Sequence, residues 1–171
     1  MTEPHRITLR TPTAEDEDLL YRLQSELETW EARMPAPPTM MTLQAYRERV
    51  ADPSRVVDAE FIVTVDGVAV GRTLIFHEDR LSRHAEVGIG LLPEARGKGI
   101  GTEAFRQTIE FAFVRRNLRR VYLWVLSSNL AAIASYTKLG FVEEGRHREH
   151  CWVRGEYQDE VTMGLLRSEW P

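Results

Sequence analysis

The chain has 171 residues, 43% of them hydrophobic, 28% charged and 9% aromatic, a composition that suits one globular domain over 1–171 with a sizeable core. Its net charge of −4 argues against nucleic acid or an anionic membrane as the main partner. One cysteine, Cys151, excludes an internal disulfide framework, and the polar start MTEPHRITLRTP with no apolar run near roughly 20 residues leads us to expect a cytoplasmic protein.

The first element, RITLR (6–10), alternates polar and apolar residues as a half-buried strand does. Thr13, with Asp16 three residues on, forms a capping-box-like start to a helix expected to reach about Trp30, with Leu19, Leu20, Leu23 and Leu27 on one face. The Pro-rich break MPAPPTMM (34–41) leads into a second helix over about 42–51. AEFIVTV, the turn Asp66-Gly67 and VAVGRTLIF read as a hairpin, and RHAEVGIGLL (83–92) continues the meander. A helix over about 100–116 carries Phe105, Ile109, Ala112 and Phe113 at helical spacing. The four arginines 115, 116, 119 and 120 behind it read as a solvated helix end. RRVYLWVL (119–126) is apolar enough to predict a central strand buried on both faces. A helix over about 129–138 stops at Gly140, and two strands, about 141–152 and 156–167, turn at Gly155. The order β-α-α-β-β-β-α-β-α-β-β predicts a mixed α/β fold: a mostly antiparallel sheet of six or seven strands with helices on both faces.

The stretch PEARGKGIGTEAF (93–105) sets three glycines and two cations between a strand and a helix. A turn needs one glycine, whereas Gly97, Gly99 and Gly101 together clear Cβ atoms from backbone amides at a helix start, which points to a phosphate ligand. No Walker-type loop is present. GIGTEA does match the dinucleotide pattern G-x-G-x-x-A, but Pro93–Arg96 separate strand from glycines and the next strand ends without the ribose-binding acid. A nicotinamide-dependent enzyme is therefore the weaker reading.

With RGKGIG (96–101) and, some thirty residues on, NLAAIASYTKLGF (129–141), the sequence resembles the GNAT superfamily of acyl-CoA-dependent N-acetyltransferases. The element order from about Arg6 to Leu166 fits that family, and the tail FVEEGRHREHCWVRGEYQDEVTMGLL is similar to its ribosomal-protein N-terminal and spermidine acetyltransferase branch. The resemblance implies acetyl-CoA as co-substrate, direct transfer of its acetyl group to a primary amine, and a possible homodimer. A non-catalytic acyl-CoA-binding module on the same fold is the alternative. The resemblance also assigns site residues. Arg96, Gly97, Lys98, Gly99, Ile100, Gly101 and Thr102 would grip the pyrophosphate. Backbone groups of Ile89, Gly90 and Leu91 would pair with the pantetheine arm, with the strand splaying at a bulge near Gly88 and Gly90. An N–H near Leu91 would meet the oxyanion. Tyr136 would protonate the leaving thiolate, and Glu86 would take the amine proton through water. Asn129 would bond the pantetheine, cap its helix, or both; Lys138 is a candidate phosphate contact or a solvated lysine.

The acceptor is open: a peptide N-terminus, polyamine, amino-sugar antibiotic or other small amine. Glu28, Trp30 and Glu31 are candidates to orient a cationic amine, with Met34, Met40 and Met41 as an apolar slot. No metal is expected, because on a strand His147 and Cys151 face one side and His150 the other, so they do not converge.

Overall fold

The computed structural model describes residues 5–27 and 41–171. Glu28, Trp30, Glu31, Met34 and Met40 therefore lie outside the described residues. Seven strands form one sheet in the order β1-β2-β3-β4-β5-β7-β6. They are β1 (Ile7–Arg10), β2 (Ala59–Val65), β3 (Val68–Asp79), β4 (His84–Leu91), β5 (Arg120–Leu126), β6 (Val142–Val153) and β7 (Glu156–Leu166). Every neighbouring pair is antiparallel except β4 and β5. That pair is joined by a crossover through helix α3 (Ile100–Glu110), the connection a parallel pair requires.

Neighbouring strand residues face opposite ways, so the sheet takes helices on both sides. Ile62 is buried with Leu19 and Leu23 of α1 (Glu17–Ser25), whereas Val63 is buried with Ile100 and Ala104 of α3. The main core lies between the sheet and α3, where Val87, Val121, Leu123, Val161 and Leu165 meet Phe105, Ile109 and Phe113. The expected apolar stripe of that helix is thus the core stripe. Its last turn loosens into a π-helical turn at Phe111–Arg115.

Two helix expectations change. The α1 helix stops at Ser25, where Glu26 is extended, and Leu27 is 45% exposed instead of continuing the buried face. Its entry does carry the capping box, with Thr13 N–H donating to Asp16 at 2.7 Å. The α2 helix (Leu43–Ala51) begins where expected, capped by Thr42. The basic cluster is not a free solvated patch either. Arg116 reaches Glu78 at 2.7 Å, Arg119 donates to the Ser82 carbonyl and Arg120 forks onto Glu144. No helix among the described residues is long and apolar enough to cross a membrane.

Candidate active site

The parallel ladder of β4 and β5 consists of His84–Arg120, Ala85–Val121 and Glu86–Tyr122, and there it stops. Beyond it β4 continues to Leu91 paired only with β3, and β5 continues to Leu126 paired only with β7. The two strands thus cease to pair with each other beyond Glu86 and Tyr122, a place where an extended ligand can be received as a strand would be. Ile89, Gly90 and Leu91 lie on the β4 side of it. The expected bulge at Gly88 and Gly90 is absent: the β3–β4 register runs unbroken from Gly71–Leu91 to Phe76–Glu86. The parting comes from the end of the β5 ladder. The irregularity falls instead between Phe76 and Asp79, where His77 takes φ +55°.

Both helices that follow the parted strands begin at their carboxyl ends. After β4 and a 3-10 turn (Pro93–Ala95), the glycine-rich turn leads into α3. Gly97 and Gly99 adopt φ +72° and +78°, left-handed values that glycine takes without a Cβ penalty, and nothing lies within 4 Å of where a Cβ would stand. Residues 97–99 are exposed and lead into the positive end of a helix, whose first amides have no partner within the helix, an arrangement that suits a pyrophosphate. The Arg96 guanidinium folds back onto the Leu91 carbonyl at 3.1 Å, and Lys98 Nζ donates to the Glu94 carbonyl at 2.8 Å. Ile100 is buried and anchors the turn. Gly101 lets α3 sit against β4, since a Cβ there would meet Leu91 Cδ1 at 3.3 Å.

After β5, Asn129 caps α4 (Leu130–Lys138) by accepting from the Ala132 N–H at 3.2 Å. Thr102 and Ser135 share a hydrogen bond of 2.7 Å, which ties the first turn of α3 to α4 next to Tyr136. The Tyr136 ring is half-buried against Phe105 and Phe141, with centroids 5.2 and 6.0 Å away. Lys138 lines a surface groove with Arg106, Glu110 and Trp170 that contains none of residues 96–101.

Glu86 stands on the last rung before the strands part, and its side chain is 18% exposed. Burial raises its pKa above the usual carboxylate value; the His77 imidazole at 3.2 Å partly offsets this, and repulsion from Glu160 adds to it. Burial and the Glu86 charge likewise push the Tyr122 phenol up.

Four residues of this region escaped the sequence reading: His77, Tyr122, Trp124 and Glu160. On β5 Val121, Leu123 and Val125 face the main core, while Trp124, 38% exposed, and Tyr122 face the side of Glu86, where Leu126 at the strand end is buried with Cys151 and Val153. The expectation that β5 is buried on both faces is therefore corrected, and alternation of aromatics with aliphatics was the available signal. His77 had none, because its approach depends on the β3 irregularity.

Three comparisons bear on this geometry. Residues 6–142 match the acetyltransferase (GNAT) domain family. Spermidine N(1)-acetyltransferase of Escherichia coli (strain K12) is 28% identical over 99% of this chain and 91% of its own. A Bacillus subtilis (strain 168) protein, YdaF, named as a ribosomal N-acetyltransferase, is 36% identical over 61% of this chain and 57% of its own. The crystal structure of spermidine N-acetyltransferase from Vibrio cholerae in complex with CoA and spermine superposes with a TM-score of 0.82 at 26% identity, covering 95% of this chain and 96% of that one.

Proposed function

Because the chain belongs to the GNAT acetyltransferase domain family and is thereby an acyl-CoA-dependent N-acetyltransferase, we propose that its acceptor is a small polycationic amine of the polyamine class. The observation that carries this is the face at the strand parting. Two carboxylates, Glu86 and Glu160, lie on the same side of the sheet as the rings of Tyr122 and Trp124. Carboxylates and aromatic faces both favour an ammonium ion over a neutral group. The spermidine acetyltransferase that aligns over 99% of the chain supports the same class.

Acetyl-CoA supplies the activated acyl group as a thioester. The α3 start holds its pyrophosphate through the amides of 97–102. The free edge of β4 at Ile89–Leu91 aligns the pantetheine arm, and an N–H near Leu91 faces the carbonyl oxygen as charge develops there. Glu86 accepts a proton from the ammonium group directly or through water, freeing the nitrogen pair to attack the thioester carbon. The C–N bond forms, the C–S bond breaks, and Tyr136 donates its proton to the departing sulfur. Arg96 and Lys98 act on the turn chiefly by bracing it, given their bonds to the Leu91 and Glu94 carbonyls. Ile100, Gly101 and Thr102 position α3.

A thiol-release assay over polyamines, aminoglycosides and N-terminal peptides tests the reading. Cys151 is fully buried, so a thiol-reactive dye reports released CoA. Spermidine or spermine should give the highest kcat/KM. Turnover of peptides alone would overturn the acceptor class, and CoA binding with no thiol release from any amine would favour a non-catalytic module. Tyr136→Phe keeps the ring contacts and should lower kcat by about 10²-fold with CoA affinity held within about threefold; unchanged kcat would remove Tyr136 from the acid role.

A further inference from the structure

Strand β6 does not keep the alternation its sequence suggests. Its pairing with β7 runs Gly145–Thr162, Arg146–Val161 and His147–Glu160, then jumps to Cys151–Gln158. Inside the jump Glu149 takes φ +52°, and its N–H donates to Asp159 Oδ1 at 2.9 Å while Arg146 holds the other oxygen of that carboxylate at 3.3 Å. This anchored bulge inserts two extra residues into β6, so Cys151 beyond it keeps the side of His147 while the residues inside the bulge leave the regular alternation. His150 is thereby brought to the side of His147, not away from it.

Both imidazoles converge on one carboxylate. His147 Nδ1 lies 3.6 Å and His150 Nε2 3.7 Å from Glu160 Oε2, and one ligand atom from each of the three residues falls within 4.8 Å of the others. The rings are 5.2 Å apart, and Trp124 flanks His147 at 5.3 Å. The Glu160 side chain is only 9% exposed, whereas the two histidines are 52% and 56% exposed. The carboxylate is a fixed base to the group, and the imidazoles are its adjustable arms.

We propose that His147, His150 and Glu160 form a site for a first-row divalent transition metal of the zinc class, at the edge of the acceptor face that Glu160 also lines; the acetyl-transfer step itself needs no metal. Two imidazoles and a carboxylate are a known donor set for such ions. Metal–ligand distances near 2.0–2.2 Å place neighbouring ligand atoms roughly 3–3.5 Å apart. Small rotations of two exposed side chains close the present spacing to that value. Solvent on the open side completes the coordination.

The test uses untagged full-length protein titrated with Zn2+ by calorimetry and with Co2+ by visible absorption. One equivalent should bind, with Co2+ bands of a protein-bound ion. His147→Ala and His150→Ala, both at exposed positions, should each weaken binding at least tenfold with unchanged circular dichroism; Glu160→Gln should do the same. Absence of binding to the wild-type chain overturns the site. So does binding that all three variants retain, which would place the ion elsewhere, for example at His77 and Glu86.

Discussion

Glu86 illustrates how one residue's surroundings set its chemistry. Its carboxyl is mostly removed from water on a face shared with His77, Tyr122 and Glu160, and burial is the largest cause of its raised pKa. A base must be ionised, so activity should fall as pH drops through that raised value, at a higher pH than an exposed glutamate would give. Stability has the opposite sign. The fold disfavours the charged form, so Glu86 costs stability fully above its raised folded pKa, and this cost shrinks as pH falls through that value and is gone below the ordinary glutamate value. Glu86→Gln should therefore lower kcat by about 10²-fold and flatten the acid limb of the kcat/KM profile, without lowering Tm at neutral pH. A variant that kept the acid limb would place the base elsewhere.

Asp16 has the reverse sign, for reasons as local. Arg10 forks onto its two oxygens at 2.6 and 2.7 Å and Thr13 N–H donates at 2.7 Å, which holds the carboxyl down at about 2 against 3.8. Its stabilisation is present at neutral pH and is lost as pH falls from about 4 through about 2. Arg10 is 40% exposed, so solvent screening trims the contribution to ~1–2 kcal/mol. Asp16→Asn should cost that much in urea unfolding at pH 7 and almost nothing near pH 2.

At the scale of elements, the glycine turn and the β6 bulge show two uses of left-handed backbone. In the turn before α3, Gly99 sits at φ +78° with open space around it, so alanine would meet no clash. Gly99→Ala should then cost only the backbone penalty, about 1–2 kcal/mol. It should also weaken CoA binding at least tenfold by calorimetry, because the amides would relax out of the turn. Unchanged CoA affinity would take the turn out of the grip. In β6 the left-handed residue is Glu149, held by Asp159, and its effect is to turn His150, inside the bulge, to the side of His147. Element limits followed from local signals at Thr13, the Pro-rich break over 34–41, Asn129 and Gly140. The early stop of α1 at Ser25 did not, since nothing in the apolar spacing through Leu27 marks it.

For the molecule as a whole, the decisive feature is that a single sheet comes apart along part of one internal seam. The main core packs across the seam on the α3 side, so the strands stay joined at Glu86–Tyr122 while their edges separate beyond it. CoA seated there should slow amide exchange in Val87–Leu91 and residues 96–102 and leave β1 and β6 unaffected, as read by hydrogen–deuterium exchange. Protection confined to the groove at Lys138 and Trp170 would instead move the ligand to the far side of α3. The sequence by itself determined the element order, the hairpin turns, the core stripe of α3 and the glycine-rich turn paired with the segment holding Tyr136. Those depend on period, capping and residue type, all local quantities. Only the tertiary structure decided where β4 and β5 part, that His77 meets Glu86, that Trp124 and Tyr122 leave the core, and that His147 and His150 share Glu160. Each of these depends on strand register and on bulges that redirect single side chains, which no local pattern of residues encodes.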